Sequence, residues 1–495
     1  MKAAALGLLL IGSAASAQMV MMSGGRGEPT VVGGSVPTPQ VSGCALSWDV
    51  PTTHAGGALA AGDILGYRIQ RQDGVDWRTV ATAYGHNTDN YTLIQSGSYT
   101  VALQIDYRSS TGISTSARSD SASVTSCSPS FGVEGYGASV TGGVGGTVAT
   151  VSNLLDSGSG SLRQAILDAE NAAAPYIINF SVGGNLDAGP TNLASAASNL
   201  TIDGCDAPYP GITLLKNDPT PGDADGTSIM VIRSTNTALT SNVIVRCLKA
   251  EGLWDENEGP DTEGDSTISV DGDFAFGVTD VVFQHITVNR ARDAGPDWYG
   301  KIDDSTFQNM LVSRNKAPTT ITHAGTDVRN RLSFHHNAYL LNRERNPQVR
   351  GHTFDLDIRN NVVYGWGHGA GNGYGMRFRA WTDGTYPSGI NVVNNVFLGG
   401  AAANSCVELG ENLGDENPWP EPIWINGNSA VAGCTDVQNA DSTVGAEIDL
   451  ADVTTHTVAQ LDAFTLSRAG APYPTAQQIA DLDTAFEALY SRLNP

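Results

Sequence analysis

Short runs in which apolar and polar residues alternate fill the chain from about residue 176 to residue 430, and they predict β-strands. They include Ile177–Phe180, Val243–Val245, Val281–Phe283, Leu332–Phe334, Leu356–Ile358 and Ile390–Val393. Several runs end in a polar pair, whose last residues are His285, Asn309, His336, Asn360 and Asn394, at steps of 24, 27, 24 and 34 residues. A repeat in the twenties with loop insertions is typical of a solenoid. The pattern therefore predicts a right-handed parallel β-helix in which equivalent asparagines stack along the axis.

Helical patterns occur at both ends of this region. Gly160–Ala169 reads as one short helix that Ser161 can cap, with Leu162, Ile166 and Ala169 on one face. Because a solenoid has an open end, we expect this helix to cover the first coil. From about residue 446 onward, Thr475–Leu482 and Ala485–Tyr490 predict one or two helices that pack on the far end or the side of the solenoid.

Ahead of the solenoid the alternating runs are separated by turns rich in Gly, Asp, Asn and Ser, which predicts a small β-sandwich over residues 36–128. The run Leu46–Pro51 and Tyr99 at the start of a late strand resemble a fibronectin type III module. Residues 129–150 are expected to bridge to the large domain, which spans 129–495 with its helical tail. The chain is thus predicted to be all-β, with the sandwich preceding the capped β-helix.

The first 17 residues have the pattern of a secretory signal peptide: Lys2, then an apolar run, then Ala15-Ser16-Ala17 before the expected cleavage point. Residues 18–35 read as a linker. Export permits disulfides, and the six cysteines lack the spacing of a zinc site. Fifteen pairings are possible; we favour the order of occurrence, which gives Cys44–Cys127, Cys205–Cys247 and Cys406–Cys434.

The net charge is −24, but its distribution is uneven. Residues 290–380 hold 13 of the 27 lysines and arginines, whereas residues 251–273 hold nine acids and no base. Such an acidic protein is a poor general ligand for nucleic acid, and no later segment has the length of a membrane helix. A basic strip beside acids can instead bind an anionic polymer together with divalent cations. The simpler interpretation is that the acids keep an exported protein soluble.

Three arginines lie in the short connector Asn342–Gly351, between two predicted strands. Paired guanidinium groups on a rigid loop suit the recognition of carboxylates, although a surface turn with salt bridges is the plain alternative. The connector Arg345-Asn346-Pro347-Gln348-Val349-Arg350, preceded by His335-His336-Asn337, resembles the Arg-x-Pro-x-x-Arg motif of the pectate lyase family (polysaccharide lyase family 1). Asn199–Gly204 and Ala469–Pro472 are similar to further family segments.

This resemblance implies roles for particular residues. Arg345 would be the catalytic base, and Lys316, Arg343 and Arg350 would bind substrate. The family's Ca²⁺ ligands would correspond to Asp273, with Asp271 as the alternative, and to Asp293 and Asp297. The chain departs from the family's Trp-Ile-Asp-His at residues 282–285, where Gln284 replaces the aspartate.

The implied function is that of a secreted, monomeric pectate lyase that cleaves polygalacturonate by Ca²⁺-assisted β-elimination. Removing the C5 proton, which is α to the C6 carboxylate, creates negative charge that cations can stabilise. Arginine is a poor base in water, because its pKa exceeds about 12. Neighbouring cations in a partly dry cleft make its neutral form less unfavourable.

Other functions remain open from the sequence. A β-helix polygalacturonase-type hydrolase would need clustered carboxylates, for which Asp303, Asp304 and His368 are candidates. A pectin lyase would favour an aromatic, acid-poor cleft. A β-helix adhesin or carbohydrate-binding protein without catalysis fits the export signal and the sandwich equally well. His335 and His336 read most simply as ladder and turn residues of the solenoid.

Overall fold

A computed structural model describes residues 36–493, except for 52, 55–56, 59–62, 86–87, 110–111, 173, 190–191, 216–227, 255–265, 274, 323–326, 369–372, 400–402, 411–418 and 432–441. The predicted signal peptide and linker, Cys434 and much of the acidic run 251–273 lie outside the described residues. Among those described, no helix has both the length and the apolar character needed to cross a membrane.

Three parallel sheets form the large domain, and the chain visits them in turn, so that each coil adds a strand to each sheet. The ten-stranded sheet contains Thr147–Val151, Tyr176–Phe180, Leu200–Asp203, Thr240–Arg246, Val278–Gln284, Ile302–Gln308, Arg329–His335, Thr353–Arg359, Ser388–Val393 and Ile423–Asn426. The nine-stranded sheet contains Gly184–Asp187, Ile212–Leu215, Leu248–Glu251, Thr287–Asn289, Leu311–Ser313, Ala338–Leu340, Val362–Tyr364, Val396–Leu398 and Ser429–Val431. The eight-stranded sheet contains Leu193–Ser195, Met230–Arg233, Ile268–Gly272, Asp297–Gly300, Thr320–Thr322, Gln348–Arg350, Gly373–Arg379 and Ala403–Leu409. The predicted parallel β-helix is confirmed.

The repeat marks found in the sequence end successive strands of the ten-stranded sheet. His285, Asn309, His336, Asn360 and Asn394 each follow the last residue of a strand and have φ between 50° and 56°. In this left-handed conformation the chain turns from one sheet to the next, and asparagine and histidine are both enriched in it. Inside the coil, Phe283, Phe307 and Phe334 occupy equivalent positions, with ring centroids 5.3 and 5.1 Å apart.

An asparagine ladder runs along the turn, as the sequence predicted. The amide of Asn361 donates to Oδ1 of Asn395 at 2.9 Å, and that of Asn395 donates to Oδ1 of Asn428 at 3.0 Å. The backbone N–H of Asn337 donates to Oδ1 of Asn361 at 3.0 Å. These side chains are buried, so the ladder satisfies turn backbone groups that water cannot reach.

Helix α1 (Leu162–Asn171) packs against the first strands of the solenoid. Oγ of Ser161 accepts from the N–H of Gln164, and Leu162, Ile166 and Ala169 are buried, as predicted. Helix α2 (Ala476–Leu493) follows a 3₁₀ turn at Val458–Gln460 and a π-helical turn at Asp462–Leu466. Its residues Leu482 and Phe486 share a core with Leu340 and Leu398 of the nine-stranded sheet, so α2 covers a side of the solenoid.

The N-terminal region forms antiparallel sheets. A three-stranded sheet contains Gln40–Ser42, Ala45–Ser47 and Asn90–Thr92, a five-stranded sheet contains Ile64–Asp73, Asp76–Tyr84, Gly97–Ser109, Gly112–Thr115 and Ala122–Cys127, and Thr53–His54 pairs with Gly57–Ala58. Leu46 and Trp48 share a core with Tyr67 and Val101. The fibronectin resemblance stays a prediction, as do the domain boundaries.

Two of the expected disulfides are present, Cys44–Cys127 and Cys205–Cys247. Cys406 is also disulfide-bonded, and its expected partner, Cys434, lies outside the described part of the chain.

The sandwich packs directly on the C-terminal helix. The hydroxyl of Tyr84 donates to Oδ1 of Asp483 at 2.7 Å, and its ring stacks on Phe486 with centroids 5.1 Å apart. Arg68 binds Asp106 at 2.6 Å and Asp483 at 3.3 Å. The contact therefore combines apolar burial with a shielded charge network.

Candidate active site

The candidate site lies on the outward face of the eight-stranded sheet. Alternate residues of this sheet, such as Trp298, Ile321 and Val349, point into the core and are fully buried. The residues between them face outward, and one row of in-register positions contains Ser269, Asp297, Thr320, Gln348 and Arg377. The sheet thus brings residues that are far apart in sequence into a single line.

The connector that carries Arg345 is fixed from beneath by Asn342, whose side chain is buried. Its Oδ1 accepts from the backbone N–H of Asn315 at 2.9 Å and from the Asn315 amide at 3.0 Å. Its own amide donates to the carbonyl of Val312 and to Oδ1 of Asn346, both at 2.9 Å. The buried Asn342 therefore hydrogen-bonds both to the preceding coil, at Asn315 and Val312, and to Asn346 within the connector.

Arg345 extends from this connector toward the previous two coils. Its Nη1 donates to Oγ1 of Thr320 at 3.3 Å and lies 3.5 Å from Oδ1 of Asp293. Its Nε lies 3.6 Å from Oε1 of Glu344. One quarter of the side chain is exposed, so the guanidinium is reachable from solvent but largely enclosed.

Burial and neighbouring charges shift the pKa of Arg345 in opposite directions. Burial lowers its pKa, but Tyr374, Glu344, Asp293 and Asp297 together raise it more, and the net shift is upward. Without further cations the acidic neighbours therefore hold Arg345 in its charged form.

Asp293 and Asp297 lie together beside Arg345. Burial, followed by the charge of Asp293, raises the pKa of Asp297 to about 7, against the opposing effect of Arg345. Oδ1 of Asp297 is buried and accepts no hydrogen bond. A buried carboxylate oxygen without a donor is a costly arrangement that a bound cation would relieve.

The third expected acid is better matched by Asp271 than by Asp273. Asp271 faces outward in register with Tyr299, and its charge contributes to the raised pKa of Asp297. Asp273 lies past the end of the strand and is exposed, and its backbone N–H donates to Oδ1 of Asp271 at 2.9 Å. Asp271, the sequence alternative, is therefore the acid closer to the pair.

These residues fit Ca²⁺ in their chemistry. Ca²⁺ takes oxygen ligands, and the cluster supplies carboxylates of Asp271, Asp293 and Asp297, one with an unused buried oxygen. The three are not gathered as tightly as a filled site: among the described residues, the sets of three ligand atoms within 4.8 Å of one another lie elsewhere. Arg345 and Lys316 both place a positive charge near Asp293.

The other basic residues line the same face. Lys316 interacts with Asp293, Arg343 and Arg345, and its pKa is lowered, first by burial and then by the two arginines. Arg350 faces outward in register with Arg379, and its guanidinium lies 5.8 Å from the centre of the Trp381 ring. Arg343 is the second residue of the connector, and its N–H donates to the carbonyl of Asn315 at 2.9 Å.

Two features that sequence reasoning connected with the site lie elsewhere. Gln284 is on the ten-stranded sheet, where its amide donates to the carbonyl of Phe131 at 2.6 Å. Asp304 is on the same sheet, paired through both oxygens with Arg331. His368 follows the nine-stranded sheet and lies near the connector, its N–H 3.4 Å from the carbonyl of Asn342. The hydrolase candidates are thus separated: Asp303 and Asp304 lie on the ten-stranded sheet, and His368 lies in a turn that follows the nine-stranded sheet.

Tyr374 and Thr320 were not anticipated. The hydroxyl of Tyr374 donates to Oε1 of Gln348 at 2.7 Å, and burial raises its pKa to about 12. Thr320 contacts Arg345 directly. Neither belongs to a motif, and only the strand register could have revealed them.

Comparison with curated proteins finds relatives that are named as probable pectate lyases. No protein-family model matches the chain. A protein of Aspergillus oryzae named "Probable pectate lyase C" is 31% identical over 275 residues, which cover 54% of this chain and 54% of the relative. Its counterpart in Aspergillus terreus is 30% identical over 276 residues, covering 55% of each. The chain thus spans about half the length of the curated relatives it matches.

Among solved structures, the chain is similar to the cedar pollen allergen jun a 1, with a TM-score of 0.49 and 17% identity over 68% of this chain and 93% of that one. A Bacillus sp. N165 pectate lyase in complex with trigalacturonate matches with a TM-score of 0.48 and 15% identity, covering 69% and 99%. The named sequence relatives support the resemblance to pectate lyases for about half of this chain.

Proposed function

We propose that the protein is an exported pectate lyase that cleaves polygalacturonate by β-elimination with the help of Ca²⁺. The observation that carries this proposal is the position of Arg345, 3.5 Å from Asp293 and in electrostatic contact with Asp297 and Lys316. A guanidinium beside a set of carboxylates and a lysine is an arrangement suited to an anionic sugar carboxylate shared between cations. The named relatives point to the same activity.

The substrate would lie along the outward face of the eight-stranded sheet. Lys316, Arg343 and Arg350 would bind the carboxylates of successive sugars and orient C5 toward Arg345. Arginine suits this task because its planar fork binds a carboxylate bidentately. A monomer suffices, since every residue invoked belongs to one chain.

In the reaction, Arg345 takes the C5 proton. The electron pair of that C–H bond forms the C4=C5 double bond, the C4–O bond breaks, and the departing oxygen gains a proton. No water is added to the sugar. Lys316 and Arg350 would stabilise the charge that develops on the C6 carboxylate as the proton leaves.

Ca²⁺ held by Asp271, Asp293 and Asp297, with Asp273 as an alternative ligand, would neutralise the carboxylates that raise the pKa of Arg345 and would polarise the substrate carboxylate. Arg345 would then lose its proton more readily than in the metal-free protein.

The test is the appearance of unsaturated products, followed by ultraviolet absorbance, from polygalacturonate with Ca²⁺ present. Arg345→Lys should lower kcat by about 10²-fold or more, the usual effect of losing a general base. Arg331→Lys is the matched control, because Arg331 is paired with Asp304 on the ten-stranded sheet and should retain activity. New reducing ends without unsaturation would contradict elimination and favour a hydrolase. Binding without either product would favour a non-catalytic adhesin.

A further inference from the structure

A second polar cluster lies on the outer face of the ten-stranded sheet. Nδ1 of His335 is 2.9 Å from Nδ1 of His336, and Nε2 of His336 is 2.9 Å from Nδ1 of His456. A ligand atom of Glu134 lies within 4.8 Å of ligand atoms of both His335 and His336. These four residues are termed the histidine cluster.

Three separate stretches of chain meet at this cluster. His335 ends a strand, and its row in the sheet contains Gln308 and Arg359. Glu134 belongs to a segment that crosses the sheet, since its N–H donates to Oε1 of Gln308 at 3.0 Å. His456 belongs to the C-terminal segment, and its N–H donates to Oδ1 of Asn360 at 2.9 Å. The turn of the solenoid does not require a histidine at residue 336, since asparagine occupies three equivalent repeat positions.

Hydrogen bonding among these side chains alone leaves the cluster incomplete. His335 and His336 are 2% and 3% exposed. Nε2 of His335 is buried beside the backbone of Glu134. The two Nδ1 atoms face each other, and both cannot carry a proton at this distance, so at least one presents a lone pair that a cation could take.

We propose that Glu134, His335 and His336 form a binding site for a divalent transition metal of the Zn²⁺ type, separate from the Ca²⁺ site. Two imidazoles and one carboxylate form a known zinc ligand set, with a further position for water. Imidazole suits Zn²⁺ and does not suit Ca²⁺, which takes oxygen ligands. Two nitrogens on a tetrahedral Zn²⁺ lie about 3.3 Å apart, given Zn–N bonds of about 2.0–2.1 Å. The observed 2.9 Å needs to open by only a few tenths of an ångström.

The residues around the cluster support its ligands in the manner of a metal site. Metal-binding histidines commonly donate their second ring N–H to a neighbour, and His336 has His456 at that position. Both oxygens of Glu134 are held by Thr454, one by its backbone N–H and one by its hydroxyl, each at 2.8 Å. Of the nearby positive charges, Arg359 is paired with Asp357 and Glu447, and Arg468 stacks on Phe464.

A metal at this position would act as a clamp. It would link the segment around Glu134 to the solenoid, and through His456 it would order the C-terminal segment. The N–H of Gly135 already donates to the carbonyl of Asp452 at 3.0 Å, so the two segments are neighbours. The site would therefore stabilise the fold without touching the face that carries Arg345.

The proposal is tested with purified full-length protein that is stripped with chelator and dialysed against Zn²⁺ in the presence of excess Ca²⁺. About one Zn²⁺ per chain should bind, and a Co²⁺-loaded sample should show the intense visible bands of a four-coordinate site. Glu134→Gln and His336→Gln should each weaken Zn²⁺ binding by about 10²-fold or more. His456→Ala should weaken it by about 10–100-fold, the usual effect of removing an outer partner.

His352→Gln is the matched control, because His352 pairs with Asp383 elsewhere on the chain and should leave Zn²⁺ binding unchanged. Near-ultraviolet circular dichroism verifies folding. If His336→Gln misfolds, Glu134→Gln decides, since Glu134 is only partly buried. No bound Zn²⁺ in the wild type, or equal binding in Glu134→Gln, would overturn the proposal.

Discussion

Replacing Asn342 by alanine should separate the stability of the solenoid from the placement of Arg345. The substitution removes four hydrogen bonds. The Asn315 amide keeps the Val288 carbonyl as a partner, whereas the Asn315 N–H, the Val312 carbonyl and Oδ1 of Asn346 lose this one. Each buried group left unsatisfied costs about 1–3 kcal/mol, so three groups predict a loss of about 3–6 kcal/mol after partial relaxation. The connector would also lose its fixed point, and a shift of about 1 Å can lower a rate by about 10²-fold.

The control is Asn361→Ala. Asn361 makes the same kind of ladder contacts, to Asn395 and to the Phe334 carbonyl, but it lies at the other turn, between the ten- and nine-stranded sheets, and carries no connector. Urea unfolding should show similar losses for both variants, whereas kcat on polygalacturonate should fall only for Asn342→Ala. A loss of stability below about 1 kcal/mol, or an equal fall in kcat for both variants, would refute the reasoning.

Three further outcomes are expected. Burial, and next the charge of Asp106, raise the pKa of Asp483 from 3.8 to about 6, although the Tyr84 hydroxyl and Arg68 lower it. This group therefore favours folding at low pH, and the benefit is lost as pH rises through about 6. Asp483→Asn should raise the free energy of unfolding at pH 8 by at most about 3 kcal/mol and leave it unchanged near pH 4, as urea titration at both pH values would measure. Removing the Cys205–Cys247 disulfide with serines should lower stability by about 4 kcal/mol, the chain-entropy value for a separation of 42 residues, and an unchanged melting temperature would argue against it. Lys316→Ala should raise KM for polygalacturonate more than for a short oligomer, as steady-state kinetics would show, and an equal KM on both substrates would remove Lys316 from the substrate-binding face.

The repeating architecture was predictable because each coil of a β-helix repeats the same pattern of apolar and turn residues. Each coil needs an apolar inner position and a turn residue that tolerates positive φ, so His285, Asn309, His336, Asn360 and Asn394 recur at nearly regular steps. The capping helix could also be predicted, since a serine N-cap and helical spacing of apolar residues are visible in the local sequence. The period does not report which of three sheets a strand joins.

That missing information explains what sequence reasoning could not resolve at the site. Asp271 and Asp273 are two residues apart and share a strand pattern, yet only the register shows that Asp271 faces outward beside the Asp297 row. Gln284 looked relevant because it departs from a family motif, but its sheet directs it toward Phe131. Tyr374 is close to Arg345 only because successive coils stack.

The sandwich shows the same limit. Its strands and the Cys44–Cys127 disulfide were predictable, but its packing on α2 through Tyr84 and Asp483 joins residues 399 positions apart. No local pattern encodes such a contact. The ion pair of Arg68 with Asp483 and the Tyr84–Asp483 hydrogen bond show that the sandwich packs onto the C-terminal helix.

The central claim is that Arg345 removes a proton and that no water enters the product. The most direct measurement is mass spectrometry of polygalacturonate fragments formed by the wild-type protein with Ca²⁺ in ¹⁸O-labelled water. Elimination predicts fragments with an unsaturated end and no ¹⁸O at the cleaved bond, and their loss when chelator is present or when Arg345 is replaced by lysine. Saturated fragments that carry ¹⁸O at the new reducing end would contradict the account and show that the protein hydrolyses its substrate.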